Sequence, residues 1–305
     1  MLSLPIARRP SELHVSEIAA KSALNRVRGM GFHWSLNPYQ GCIHQCVFCY
    51  ARKTHAYRKL DGVREWGSAL VVKVNIVSVL RAELAKPSWR NEHVAIGTAT
   101  DPYQALEGRY RLMRGALAAL RDARTPFNII TRSPLIVRDL DLLAACSRRA
   151  EVSVAVSIAT LDRDLAHEIE PTVAPPGQRL RAVRALAEAG VRVGVAVAPV
   201  LPEITDAPDA LAAVVRAATD AGASHVWHST LNLGEVTRDA YFAFLRETRP
   251  QLVERYERMF SRGRYADRAL VDTITARMRD ATASVRFRRP RRLDPDPSGL
   301  QIPLL

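Results

Sequence analysis

VSVAVSIA (152–159), GQRLRAVRALAEAG (177–190) and VRVGVAVAPV (191–200) stand in that order in the chain. The two outer runs are short and rich in β-branched residues, as buried parallel strands are. The middle run has apolar residues at helical spacing and ends at Gly190, a fitting C-cap position. Strand, helix, strand is the unit of a parallel sheet with right-handed crossovers.

The same alternation extends in both directions. HVAIGTAT (93–100), PFNIITRS (126–133) and SHVWHSTL (224–231) read as strands. RYRLMRGALAALRDA (109–123), RDLDLLAACSRR (138–149) and DAPDALAAVVRAATDAG (206–222) read as helices. The last has Asp206 as its expected N-cap and Pro208 in its first turn. With a first strand near residues 33–37, six βα units fit. That is too few for a closed eight-fold barrel, so the expected fold is α/β, a partial (β/α)6 TIM-like barrel with a C-terminal helical extension. The expected organisation is an N-terminal helical segment (1–32), the barrel (33–237), C-terminal helices (238–285) and a basic, Pro-rich tail (286–305). In such folds chemistry sits on the loops that follow the C-terminal ends of the strands.

Bulk properties exclude several classes. The 305 residues are 48% hydrophobic and 25% charged, ample for a sizeable core. No run approaches the roughly 18–20 apolar residues of a membrane span. The N-terminal MLSLPIARRPSELH lacks the apolar run of a secretory signal, so a cytoplasmic protein with no membrane partner is expected. Net charge is +13. From Arg246 to Arg292 there are 14 Arg against 6 acidic residues, a stretch that could neutralise phosphates or be a solvated helix face.

Three of the four cysteines fall within eight residues, in NPYQGCIHQCVFCYAR (37–52). The spacing of Cys42, Cys46 and Cys49 is C-x3-C-x2-C, which points to metal or redox chemistry in a chain of this size. Four thiolates would close a [4Fe-4S] cluster. Three leave one iron free to bind a substrate group. The rival is a Cys3His zinc site with His44 or His55 as the fourth ligand. Zinc sites often come as paired knuckles, and the sequence holds no second Cys pair. Cys146, in an apolar helical stretch, reads as a small buried hydrophobe.

C-x3-C-x2-C with Phe48 before the last Cys, Gly41 ahead of it and Tyr50 behind it resembles the signature of the radical S-adenosylmethionine (SAM) superfamily. TDPYQALE (100–107) and ITRSPLIVRDLDLL (130–143) are similar to the spore photoproduct lyase-like branch, also called DNA repair photolyase-like, and to uncharacterised actinobacterial members of it. The likeness covers roughly residues 30–235. It implies a [4Fe-4S] cluster on Cys42, Cys46 and Cys49, SAM as cofactor, and an external electron donor of the flavodoxin or ferredoxin type. It implies that Phe48 packs near the adenine, that Thr100, Asp101, Arg132 and Ser157 belong to the SAM site, and that Tyr50 is catalytic as a hydrogen-atom relay. Thr100 and Arg132 stand where the branch has Ser and Lys; Arg132 keeps the charge that meets a carboxylate. Thr98 stands where the branch has its hydrogen-donating Cys. A hydroxyl cannot do that radical chemistry, which argues against photoproduct lyase activity itself.

The expected function is reductive cleavage of SAM to a 5′-deoxyadenosyl radical that abstracts hydrogen from an unassigned substrate. The basic charge makes a nucleic acid a candidate substrate. The competing function is a non-catalytic iron–sulfur protein that binds nucleic acid or senses redox state. Glu107, His225, His228, Trp34 and Trp227 read first as pairing or packing residues.

Overall fold

The computed structural model describes residues 13–288. Ten strands form two sheets: β1 (His14–Ile18), β2 (Leu24–Arg26), β3 (Trp34–Leu36), β4 (Tyr39–Gln40), β5 (Ala69–Lys73), β6 (Val94–Ile96), β7 (Phe127–Thr131), β8 (Val152–Ser157), β9 (Arg192–Val200) and β10 (Val226–Thr230). The main sheet runs β10-β9-β8-β7-β6-β3-β2. From β3 to β10 every neighbour is parallel; β2 alone is antiparallel, paired to β3. The six parallel strands are the five expected from the Val/Ile runs and the first strand expected near residues 33–37. β10 and β2 are the unpaired ends of the strand order, so the sheet is open by these pairings.

Helices α1 (Ile76–Leu84), α2 (Leu106–Tyr110), α3 (Leu112–Asp122), α4 (Leu140–Ser147), α5 (Arg163–Ile169), α6 (Pro176–Glu188) and α7 (Pro208–Asp220) fill the crossovers. Their apolar faces meet the sheet in one core that includes Leu117, Ile129, Val154, Val183, Val195 and Val215, all buried. Each such side chain contributes about 1.5–3 kcal/mol by leaving water. Cys146 is buried in this core with its thiol against the Leu117 carbonyl, as a small hydrophobe would be.

The N-terminal segment corrects the helical expectation. Residues 14–18 and 24–26 are strands; residues 1–12 lie outside the described part. β1 pairs in parallel with β5, which β4 joins antiparallel, making a small second sheet. Backbone pairing, not burial, holds β1, whose side chains are mostly exposed. Asp206 also departs from expectation. α7 is entered through Ala207 with Pro208 first in the helix and no side-chain cap. The Asp206 carboxylate instead accepts from the Glu203 N–H and from Arg277 Nη1, 2.8 Å away.

The C-terminal extension comprises α8 (Glu235–Thr248), α9 (Val253–Met259) and α10 (Arg268–Ala283). α10 packs on α7 and β10, covering that end of the sheet. α8 and α9 form a second core with Leu231 and Leu233, and this core includes Cys46, Val47 and Phe48. The extension is thus part of the wall behind the cysteine segment. Several of its arginines pair with acids: Arg249 with Glu168, Arg255 with Glu203, Arg268 with Asp272 and Arg277 with Asp206. Part of the basic stretch is therefore ion-paired; the tail beyond residue 288 lies outside the described part. No helix among the described residues is long and apolar enough to cross a membrane.

Candidate active site

One cavity of about 220 Å³ opens at the C-terminal ends of the parallel strands. Cys42, Cys46, Cys49, Phe48, Tyr50, Thr100, Asp101 and Arg132 all line it. Six segments of chain meet there, which is why the site could not be read from one motif. The loop after β3 and β4 brings the cysteines, the loop after β6 brings Thr98 to Asp101, and the end of β7 brings Arg132.

The cysteine loop is held by residues of the TDPYQALE motif. Thr100 Oγ1 donates to the Gly41 carbonyl at 2.5 Å. Gln104 Nε2 reaches the same oxygen at 3.3 Å and Thr100 Oγ1 at 3.0 Å, while its Oε1 accepts from the Ile43 N–H at 3.0 Å. Gly41 has φ +77°, and a Cβ there would lie 2.6 Å from the Ala69 carbonyl; only glycine fits this turn. Gly97, at φ +89°, makes the matching turn below the cavity, with a would-be Cβ 2.4 Å from the Ile130 carbonyl. From behind, Arg52 Nη2 donates to the Cys46 carbonyl at 3.2 Å and Thr237 Oγ1 of α8 to the Cys49 carbonyl at 3.2 Å. All four cysteines of the chain are free thiols. Burial pushes Cys42 up to about 12 and raises Cys46 and Cys49. Thiols so placed need a cation to hold them as thiolates.

Asp101 is the hub of the second wall. Its Oδ1 accepts from Thr131 Oγ1 at 2.7 Å and from the Tyr103 N–H at 2.9 Å; its Oδ2 accepts from the Arg132 N–H at 2.7 Å. His44 Nε2 lies 3.1 Å from Oδ2. Burial pushes the carboxyl up, but His44 and these donors outweigh it and hold it below the usual range. Asp101 therefore fixes backbone and Arg132 more than it offers free oxygens to a ligand.

Arg132 crosses the Phe48 ring at 5.5 Å. Its Nε donates to Glu170 Oε1 at 2.8 Å and its Nη2 to the Ala198 carbonyl at 3.0 Å. Glu170 in turn binds Arg179 Nη2 at 2.6 Å, and both members of that pair are 1% exposed. Burial pushes Glu170 up, but Arg179 and Arg132 outweigh it and hold it below its ordinary value. Sequence reasoning missed Glu170 and Arg179; their partners lie far along the chain and no periodicity marks them. It also missed Gln104, Gln45 and Trp66, the last two of which line the cavity.

Ser157 is the one expected site residue that the structure places elsewhere. It is fully buried, is absent from the cavity wall, and donates to the Ala198 carbonyl at 3.0 Å. Its hydroxyl supports the Ala198–Pro199 step that lines the cavity. Tyr50 does line it, half-buried, with its hydroxyl donating to the Thr98 carbonyl. The three quoted motifs also meet in a structural network. Tyr39 Oη donates to Glu107 Oε2 at 2.5 Å, and Arg138 Nη2 to Glu107 Oε1 at 2.6 Å. Glu107 is thus paired with an arginine.

On β10, Trp227 and Ser229 line the cavity, so His228 between them faces the other way. It meets Thr275 of α10 at 3.4 Å. His225 packs against Gly194, where a Cβ would fall 2.5 Å from its ring. Trp34 packs edge-on against Trp89, as a core residue would. The zinc alternative needs His44 or His55 as its fourth ligand. His55 Nε2 meets the Glu65 carbonyl at 3.3 Å and its ring packs on Trp66, while His44 Nε2 lies 3.1 Å from Asp101 Oδ2. Among the described residues no three His, Cys, Asp or Glu side chains converge as they would on a single ion. In a cluster each thiolate holds a different iron, so its ligands need not converge in that way.

A family model described as the radical SAM superfamily matches residues 36–215. Rv2578c, an uncharacterized protein of Mycobacterium tuberculosis strain H37Rv, is 39% identical over 274 residues, covering 89% of this chain and 81% of the relative. MJ0683 of Methanocaldococcus jannaschii, also uncharacterized, is 29% identical over 199 residues, covering 64% of this chain and 71% of the relative. Among solved structures, spore photoproduct lyase complexed with dinucleoside spore photoproduct is similar with a TM-score of 0.67 at 16% identity, covering 88% of this chain and 79% of that one. At that identity the likeness speaks for the fold, and the fold is the one described above. With a family match over more than half its length and a well-covered relative, the chain belongs to the radical SAM superfamily and is a radical SAM enzyme.

Proposed function

We propose that Cys42, Cys46 and Cys49 hold a [4Fe-4S] cluster and that the adjoining cavity binds SAM, giving reductive cleavage to a 5′-deoxyadenosyl radical. The observation that carries this reading is the meeting of three cysteine thiols with Arg132 in one cavity at the ends of the parallel strands. When bound, the cluster supplies an open iron for the amino and carboxylate groups of SAM and one electron to break a carbon–sulfur bond.

The chain's own residues do the positioning. Thr100 and Gln104 hold the cysteine loop to the β6 loop. Glu170 and the Ala198 carbonyl aim the Arg132 guanidinium, whose Nη1 has no partner among the described residues and is the donor left for the SAM carboxylate. Phe48 supplies the apolar face for the adenine. Tyr50, on the cavity wall, is the residue through which a hydrogen atom would be relayed. Trp227, Ser229 and Asn232 line the same cavity and supply polar and aromatic groups for the hydrogen-donating substrate. The net charge of +13 favours a nucleic acid as that substrate, and a flavodoxin or ferredoxin type protein as a source of the electron.

The test is anaerobic reconstitution with iron and sulfide, reduction, and electron paramagnetic resonance (EPR) with and without SAM. SAM is expected to change the spectrum of the reduced cluster, because it ligates the open iron. A cluster whose spectrum ignores SAM would support the iron–sulfur binding or sensing alternative instead.

A further inference from the structure

Gln45 and Trp66 are polar side chains buried on the cavity wall. Among the described residues, both amide atoms of Gln45 and the indole Nε1 of Trp66 have no hydrogen-bond partner. Gln45 is 2% exposed and Trp66 3%. Leaving such groups without partners is costly in a folded chain.

Gln45 carries a second cost. Its φ is +55°, the left-handed region that glycine enters freely and a side chain does not. The surroundings are shaped to accept it nonetheless. Gly67, at φ +90°, leaves room where a Cβ would lie 2.1 Å from Gln45 Cγ and 2.8 Å from Nε2. The amide is therefore wedged against the segment that carries Trp66. Trp66 packs with Cys42 and Ala51, and Cys49 lies against that group. Gln45 itself sits between Cys42 and Cys46 in the loop.

An indole N–H can only donate. Its acceptor must come from whatever fills the cavity beside the thiols. Sulfur atoms carrying negative charge are the acceptors that the cysteine loop brings to this wall.

We infer that Gln45 Nε2–H and Trp66 Nε1–H donate hydrogen bonds to the sulfur atoms of the cluster and raise its reduction potential. The inference rests on the cluster reading above. Negative charge added on reduction resides partly on sulfur, so a donor aimed there stabilises the reduced state. The strained Gln45 backbone and the glycine opposite it are then the means of bringing a donor to the loop.

The experiment is a potentiometric titration followed by EPR on reconstituted wild type, Trp66→Phe and Gln45→Gly. Trp66→Phe keeps a ring against Cys42 and removes the N–H. Gln45→Gly removes the amide and relieves the backbone. Each variant is expected to have the lower potential. At the potential that half-reduces wild type, its reduced-to-oxidised ratio should fall several-fold, tenfold being about 59 mV for one electron. Clusters that assemble with unchanged potentials in both variants overturn the inference and leave the cluster reading standing. A wild type that assembles no cluster overturns both. Thermal unfolding of the metal-free proteins separates a packing role. Gln45→Gly is expected to melt no lower than wild type, and a clear fall would assign the amide to packing and overturn its part.

Discussion

Cys46→Ala is expected to lose the visible absorbance of the cluster, its bound iron and sulfide, and all 5′-deoxyadenosine production above background. Cys46 is the middle thiol, buried between the loop and the α8–α9 core. Its backbone is fixed independently of the sulfur. The Cys46 carbonyl accepts from Arg52, and the next N–H, that of Val47, donates to the Ile169 carbonyl at 3.0 Å. Alanine therefore removes a ligand and leaves the loop in place, so the metal-free variant should lose no more than about 1–2 kcal/mol of stability. Two thiolates cannot hold the cluster against solvent, and the effect on activity should be complete. Cys146→Ala is the control. Its sulfur lies in the main core, away from the cavity, so that variant should assemble the cluster and keep its activity. A Cys46→Ala variant with wild-type 5′-deoxyadenosine formation would contradict the three-thiolate premise.

Glu170→Ala is expected to destabilise the protein by about 3–5 kcal/mol, the usual consequence of stranding one member of a buried ion pair. The stranded charge is Arg179, 1% exposed, which would keep only the Ser157 and Ala174 carbonyls as partners. Arg132 would lose its Nε acceptor at the same stroke. The change should appear as a lower denaturant midpoint with little change in slope. Replacing both residues, Glu170→Met with Arg179→Met, is expected to recover most of the loss, because an apolar pair of similar volume is nearly neutral against a buried ion pair. The double-mutant cycle would then show strong coupling. The pH dependence follows from the depressed carboxyl. Glu170 is held below its ordinary value in the folded state, so its stabilisation is present above the unfolded glutamate range. It is lost as the pH falls through that range toward the lower folded value. A loss under about 1 kcal/mol in Glu170→Ala would mean that Arg179 finds other partners.

The parallel sheet was legible because a strand buried on both faces must be nearly all apolar. PFNIITRS, VSVAVSIA and VRVGVAVAPV differ from any surface segment in that respect. β1 and β2 were not legible for the converse reason. HVSEI is exposed along most of its length, and its strand identity comes from its partner β5, not from its own pattern. The cysteines, Thr100 and Arg132 were legible because local spacing and strand ends place them. Ser157 turns away from the cavity. It ends a strand whose last two residues are both buried, and its hydroxyl turns to the neighbouring strand's Ala198 carbonyl. Glu170 and Arg179 could not be found by spacing, since their role exists only where β7, the end of α5 and α6 converge. Gln45 was in view within the motif. What marks it is a positive φ and an unbonded amide, which only the folded chain reveals.

The most direct test of the central claim is the yield of 5′-deoxyadenosine from SAM and a strong reductant, measured anaerobically with reconstituted protein. The account predicts 5′-deoxyadenosine in wild type and Cys146→Ala and its absence from the Cys42, Cys46 and Cys49 variants. A wild-type protein fully loaded with iron and sulfide that forms no 5′-deoxyadenosine above a protein-free control would contradict it.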